Sequence, residues 1–217
     1  MMVLEIQVDP IRIESDKDAM EGMLWLPAGY TGMVVFTSGS NRVKPPHDYI
    51  ANMLRNARLG SLWLDLQSRS DGISLEESDI DLFAERLNVA CDWLQQNDAT
   101  KDLPVGLFGA GRAAAAALQL AALRGRSISA LVLRGGHLEL AAHGTLGKIS
   151  TPTLLIVGGL DDGVVATNRA AYAALRCKKR LEVIPGATHS FEEPGSLEVV
   201  ARLARGWFLQ HTDRGYA

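Results

Sequence analysis

The stretch from Leu103 to Gly125 reads LPVGLFGAGRAAAAALQLAALRG. A short apolar run, Pro104 to Phe108, breaks at Gly109-Ala110-Gly111 and restarts as an alanine-rich helix. In an open α/β sheet such a turn lies beyond the carboxyl end of its strand, where free N–H groups of the helix face whatever binds there. Any site in this chain is expected at this turn.

Two mechanisms compete for it. As Gly-x-Gly-x-x-Ala, through Gly109, Gly111 and Ala114, the turn matches a dinucleotide fingerprint, in which glycines let the backbone approach a pyrophosphate. As Gly-x-Ser-x-Gly it is a nucleophile elbow with two of its three defining positions changed: Gly111 stands in the serine position and Ala113 in that of the second glycine. The rest of the chain decides between them.

Upstream, Val3 to Val8 and Ile11 to Ile13 alternate at period 2, and Met20 to Leu26 follows as a strand ending at Pro27, an antiparallel entry to a sheet. Gly32 to Phe36 is a continuous apolar run, the mark of a strand buried on both faces, and it empties into the polar loop Thr37 to Arg42. Pro46 opens a helix whose spacing holds through Ala57, up to Leu59-Gly60, and Ser61 to Leu66 is a further buried strand. The loop Gln67 to Glu77 leads to a helix from about Asp79, with Ile80, Phe83, Leu87, Ala90, Cys91 and Leu94 on one face.

Downstream, Ile128 to Leu133 reads as a strand, followed by Arg134-Gly135-Gly136-His137 and a short helical segment near Leu138 to His143. Thr153 to Val157 is the clearest buried strand and ends in Gly158-Gly159-Leu160-Asp161-Asp162-Gly163. A helix over Val165 to Leu175, a strand over Arg180 to Ile184, the loop Pro185 to His189 and a last helix from about Gly195 to Gln210 complete the order. Repeated strand–helix alternation from Gly32 requires right-handed parallel crossovers and a mainly parallel twisted sheet with helices on both faces. The prediction is an α/β fold in a single domain over 1–217, since 217 residues suffice for one well-buried core and no linker divides them.

Composition narrows the function. A net charge of -3 offers no basic field, so nucleic acid is not an expected partner. No apolar stretch reaches the roughly 18 residues needed to span a bilayer, and the N-terminus lacks a charged region followed by an apolar one, so no membrane partner and a cytoplasmic location are expected. Cys91 and Cys177 read as free buried thiols, and metal-ligand spacing is absent, so neither metal nor cofactor is expected.

The order of motifs discriminates between the two turn readings. A dinucleotide fingerprint belongs to the first βα unit, whereas three strands and two helices precede Gly109; the acidic residue that would hold the ribose is replaced by Arg134, which would suit only an NADP 2′-phosphate. NADP binding is therefore the weaker alternative. The elbow reading calls for an acid and then a histidine in later strand-end loops, and Asp161 and His189 fall there.

The segments Gly106 to Gly111, Pro152 to Asp161 and Ile184 to Phe191 together resemble the α/β-hydrolase superfamily, above all its small dienelactone-hydrolase-like branch, some members of which are joined to phosphoribosyltransferase domains. The resemblance runs from about Met20 over nearly the whole chain. It implies an α/β-hydrolase fold, an ester, lactone or similar small carbonyl substrate, Asp161 as triad acid and His189 as triad base. Ser38 resembles the region supplying one oxyanion-hole amide, and Arg112, the residue after the nucleophile, would supply the other through its backbone N–H. Gly111 matches the nucleophile in place only, where the family carries Ser or Cys. A nucleophile elbow holds its central residue at positive φ, costing about 1 to 3 kcal/mol when a Cβ is present, and glycine removes that cost. The turn can persist while the reaction is lost.

Bland readings stand beside these. Asp161 would also cap a helix starting near Val164, His189 would also suit a surface loop, and Asp65 is equally structural or functional. His47, His137, His143 and His211 have no supporting motif. Arg112 opposes the helix dipole, so either a carboxylate such as Glu139 or Asp65 or an anionic ligand should compensate it. Two function classes follow: a hydrolase impaired by Gly111, or a non-catalytic pseudoenzyme that keeps the pocket for a small, anionic molecule or the fold for assembly, most simply as a homodimer.

Overall fold

A computed structural model describes residues 5–14, 19–38, 45–66 and 79–212. The polar loop after residue 38, the loop over 67–78 and the side chain of His47 lie outside the described residues. Eight strands form one sheet in the order β1-β2-β4-β3-β5-β6-β7-β8. The strands are β1 (Ile6–Glu14), β2 (Ala19–Pro27), β3 (Gly32–Ser38), β4 (Leu59–Asp65), β5 (Val105–Ala110), β6 (Ile128–Arg134), β7 (Thr153–Gly158) and β8 (Lys179–Ile184). β1 and β2 run antiparallel at one edge, and every pairing from β4 through β3 to β8 is parallel. The antiparallel entry and parallel body match the sequence reading, with Pro10 carried inside a single continuous β1 at the sheet edge, where its missing N–H is tolerated.

Among the described residues five helices cover the sheet: α1 (Pro45–Arg55), α2 (Asp79–Gln96), α3 (Ala113–Arg124), α4 (Asp162–Ala174) and α5 (Ser196–Thr212). Side chains alternate across each strand, and both sets are apolar. Met33, Val35, Leu107, Leu131, Leu133 and Leu155 pack with α2 and α3. Val34, Phe36, Phe108, Val132 and Ile156 pack on the other face with α1 and α5. Burial on both sides explains the unbroken apolar runs that stood out in the sequence.

Three boundaries differ from expectation. α1 stops at Arg55 and β4 starts two residues early, because Arg58 takes a left-handed φ of 60° that reverses the chain. The segment after Gly136 forms a 3-10 turn over Leu138–Leu140, in which Leu138 is buried and Leu140 and Ala141 are only partly covered by the core. α4 begins at Asp162, three residues before the expected start at Val165, since the Asp161 side chain caps it. Burial drives the Cys91 thiol up to about 12, so it is an inert core group, and Cys177 is partly buried with its Sγ 3.7 Å from Thr153 Oγ1.

Candidate active site

The carboxyl ends of β3, β5, β6, β7 and β8 meet along one edge. Gly111 takes φ 57°, and a Cβ built there would meet no atom of the described residues within 4 Å. Its N–H donates to the Arg134 carbonyl at 3.1 Å, while its own carbonyl accepts from Ala114 and His137 N–H at 3.3 and 3.2 Å. The elbow is thus tied to the end of β6 on one side and to the first turn of α3 on the other. Close packing of the turn depends on Gly109, where a Cβ would stand 2.8 Å from Ala114 Cα, and on Gly136, where it would stand 2.8 Å from Ala114 Cβ. Ala113, in the second glycine position of the motif, is accommodated fully buried as the first residue of α3.

Asp161 and His189 are 28 positions apart in sequence yet adjacent in space: Asp161 Oδ2 lies 3.4 Å from His189 Nδ1. The other carboxylate oxygen, Oδ1, accepts the Val164 N–H at 3.2 Å. One aspartate therefore serves both as helix cap and as histidine partner, so the two sequence readings of this residue are not alternatives. The N–H groups of Gly159 and Leu160 donate to the carbonyls of Ile184 and Ala187, which stitches the Asp161 loop to the His189 loop. With Nδ1 turned to the carboxylate, Nε2 of the 69% exposed histidine is the nitrogen available to a substrate or water.

The His189 loop is braced from within. Thr188 Oγ1 donates to Glu193 Oε1 at 2.6 Å, so its single proton is committed and the 2.9 Å contact with Ser190 is donated by the Ser190 hydroxyl. That hydrogen bond is the main cause holding the Glu193 carboxyl below its ordinary range. Phe191 is 1% exposed at a left-handed φ of 57°, a conformation costly for a residue with a Cβ, and its ring anchors the loop into the core.

Ser38 ends β3, level with Ala110 of β5 and Asp65 of β4, so its backbone reaches the same edge one position before Gly111. Arg112 is in helical geometry at the start of α3 without a side-chain cap. Glu139, one suggested partner for it, instead pairs with His137 at 3.1 Å. Among the described residues Arg112 makes no ion pair. Sequence reasoning considered Arg134 only as an NADP contact and missed its burial; the signal was a cation ending an otherwise apolar strand. Asn168 was also missed: fully buried, it donates from α4 to the Gly136 carbonyl at 2.8 Å. Among the described residues no group of three or more metal-ligating side chains occurs, and no helix is long and apolar enough to cross a membrane.

The edge offers backbone donors and a histidine–carboxylate pair, with no nucleophilic side chain at the turn and no atom of the described residues within 4 Å of a Cβ on Gly111. Comparison with known proteins identifies the family. No family model matches the chain. A dienelactone hydrolase from Anabaena variabilis ATCC 29413 shares 41% identity at a TM-score of 0.88, covering 95% of this chain and 99% of that one. Est1E from Butyrivibrio proteoclasticus, at 14% identity and TM-score 0.79, covers 93% of this chain and 98% of its own, and the esterase domain of a Rhodothermus marinus protein, at 15% and 0.75, covers 95% and 99%; both share the fold. Two Mycobacterium tuberculosis proteins, from strains CDC 1551 and H37Rv and provisionally named phosphoribosyl transferases, are 41% identical over 206 residues. That alignment covers 94% of this chain and 46% of each relative, so the chain spans about half the length of the curated relatives it matches. With 41% identity across nearly the full length of a dienelactone hydrolase of the same fold, the chain belongs to the dienelactone-hydrolase-like branch of the α/β-hydrolases.

Proposed function

We propose that this protein is a dienelactone-hydrolase-like member that keeps the pocket edge and the acid–base pair for a small ester, lactone or similar carbonyl compound but has given up the nucleophilic step. The observation that carries the reading is Gly111, at φ 57° in the strand–turn–helix elbow, with no atom of the described residues within 4 Å of where a side chain would start. Its expected roles at that edge are Asp161 as acid, His189 as base, and the backbone N–H groups near Ser38 and at Arg112 as carbonyl-oxygen donors. Losing the nucleophile of such a triad costs about 10⁶-fold in rate where this has been measured in a serine protease. The pocket then acts as a binding site for a small molecule inside the cell.

Hydrolysis of p-nitrophenyl acetate tests this. The unaltered chain should stay near the rate given by any exposed histidine. Gly111→Ser should gain a modest esterase rate that His189→Ala removes, and adding Ala113→Gly should raise it further if the buried Ala113 methyl holds the serine off line by about an ångström, worth about 100-fold in such sites. Rapid turnover by the unaltered chain that survives His189→Ala would sink the assignment.

A further inference from the structure

Arg134 ends β6 with only 9% of its surface exposed. Among the described residues its Nε and Nη1 have no hydrogen-bond acceptor and are sealed from solvent, and the Phe191 ring stands beside it, with its centroid 5.5 Å from the guanidinium carbon. Burial alone lowers this guanidinium to about 10, with no carboxylate beside it to oppose the effect. A buried cation without a counter-charge is costly unless something supplies the missing negative charge.

Ala110 pairs with Arg134 in the parallel register, and parallel partners project to the same face. Ala110 belongs to the core under α1 and α5, so Arg134 lies on the face to which the His189 loop returns. Beside Arg134, Ala110 is a methyl group with 8% of its surface open, and the next residue along the chain is Gly111, which has no side chain. The Arg134 carbonyl holds the Gly111 N–H, so the cation is rooted at the elbow itself. Arg112, a second guanidinium without an ion pair among the described residues, begins α3 one residue beyond.

We propose that this edge is an anion subsite, in which a small ligand seats a carboxylate or phosphate against Arg134, with Arg112 adding positive charge at the mouth. The subsite rests on the same pocket as the function proposed above and names the chemical class of its ligand.

Calorimetric titration of the unaltered protein with inorganic phosphate, and separately with acetate, at constant ionic strength decides the matter, and the probe that saturates identifies the preferred headgroup. Arg134→Met, close in length but uncharged, should weaken that binding about 10- to 100-fold while the protein stays folded by circular dichroism. Arg134→Lys should retain more of it than Met does, and Arg112→Ala should weaken it less than Arg134→Met. No saturable binding of either anion, or equal binding by the Met and Lys variants and the unaltered chain, overturns the subsite. Because neither probe is hydrolysed, that failure leaves the loss of the nucleophile standing, whereas an esterase-active unaltered chain overturns the latter whatever the anions do.

Discussion

At the scale of single residues, the account turns on one missing side chain. Among the described residues nothing lies within 4 Å of a Cβ built on Gly111, but its φ of 57° penalises any residue that has one. Gly111→Ser should therefore fold at a cost of about 1 to 3 kcal/mol, read as a thermal midpoint lower by roughly 2 to 12 °C for a chain of this size. A serine variant as stable as the unaltered chain would mean that the turn does not hold this conformation. The position of Gly111 was legible in the sequence because the strand–turn–helix pattern is local. The environment of Arg134 was not, because the burial of a long side chain depends on Phe191, which is 57 positions away in sequence.

Among the elements, the junction of β7 with the His189 loop does most to assemble the site. Gly158 ends β7 directly under the carbonyls of Ala187 and Thr188, and a Cβ there would overlap both. Gly158→Ala should therefore cost about 1 to 3 kcal/mol through overpacking, and should lift His189 away from Asp161. Denaturant unfolding checks the first effect, and loss of the His189-dependent rate in the Gly111→Ser background checks the second. Normal stability in Gly158→Ala would contradict the close approach. The buried strands were readable from sequence because both their faces are apolar, as in Val34-Val35-Phe36 and Leu154-Leu155-Ile156. The segment after Gly136 is a single 3-10 turn rather than a longer helix, because it offers the core one buried side chain, Leu138, with Leu140 and Ala141 only partly covered, too little to hold further turns.

For the molecule as a whole, stability should fall on the acid side in two separable stages. His211, near the end of α5 and edge-on to Trp207 at 4.5 Å, is held below its ordinary 6.5 by burial and then by Lys178. The unfolded chain thus binds its proton more readily, so stability is intact at neutral pH and drains away as pH falls below 6.5 toward the folded value. Glu193, lowered from 4.5 chiefly by the Thr188 hydroxyl, gives a second loss as pH falls below 4.5 through its folded value. His211→Gln should flatten the change in thermal midpoint between neutral pH and about pH 5, and an unchanged slope would show that His211 does not set it. The central claim, an intact elbow without a nucleophile, is tested most directly by intact-mass analysis after exposure to a fluorophosphonate, which reacts covalently with an activated hydroxyl. The account predicts no adduct on the unaltered chain and a single adduct at residue 111 of Gly111→Ser that disappears when His189 is also replaced by Ala. A stoichiometric adduct on the unaltered chain would contradict it.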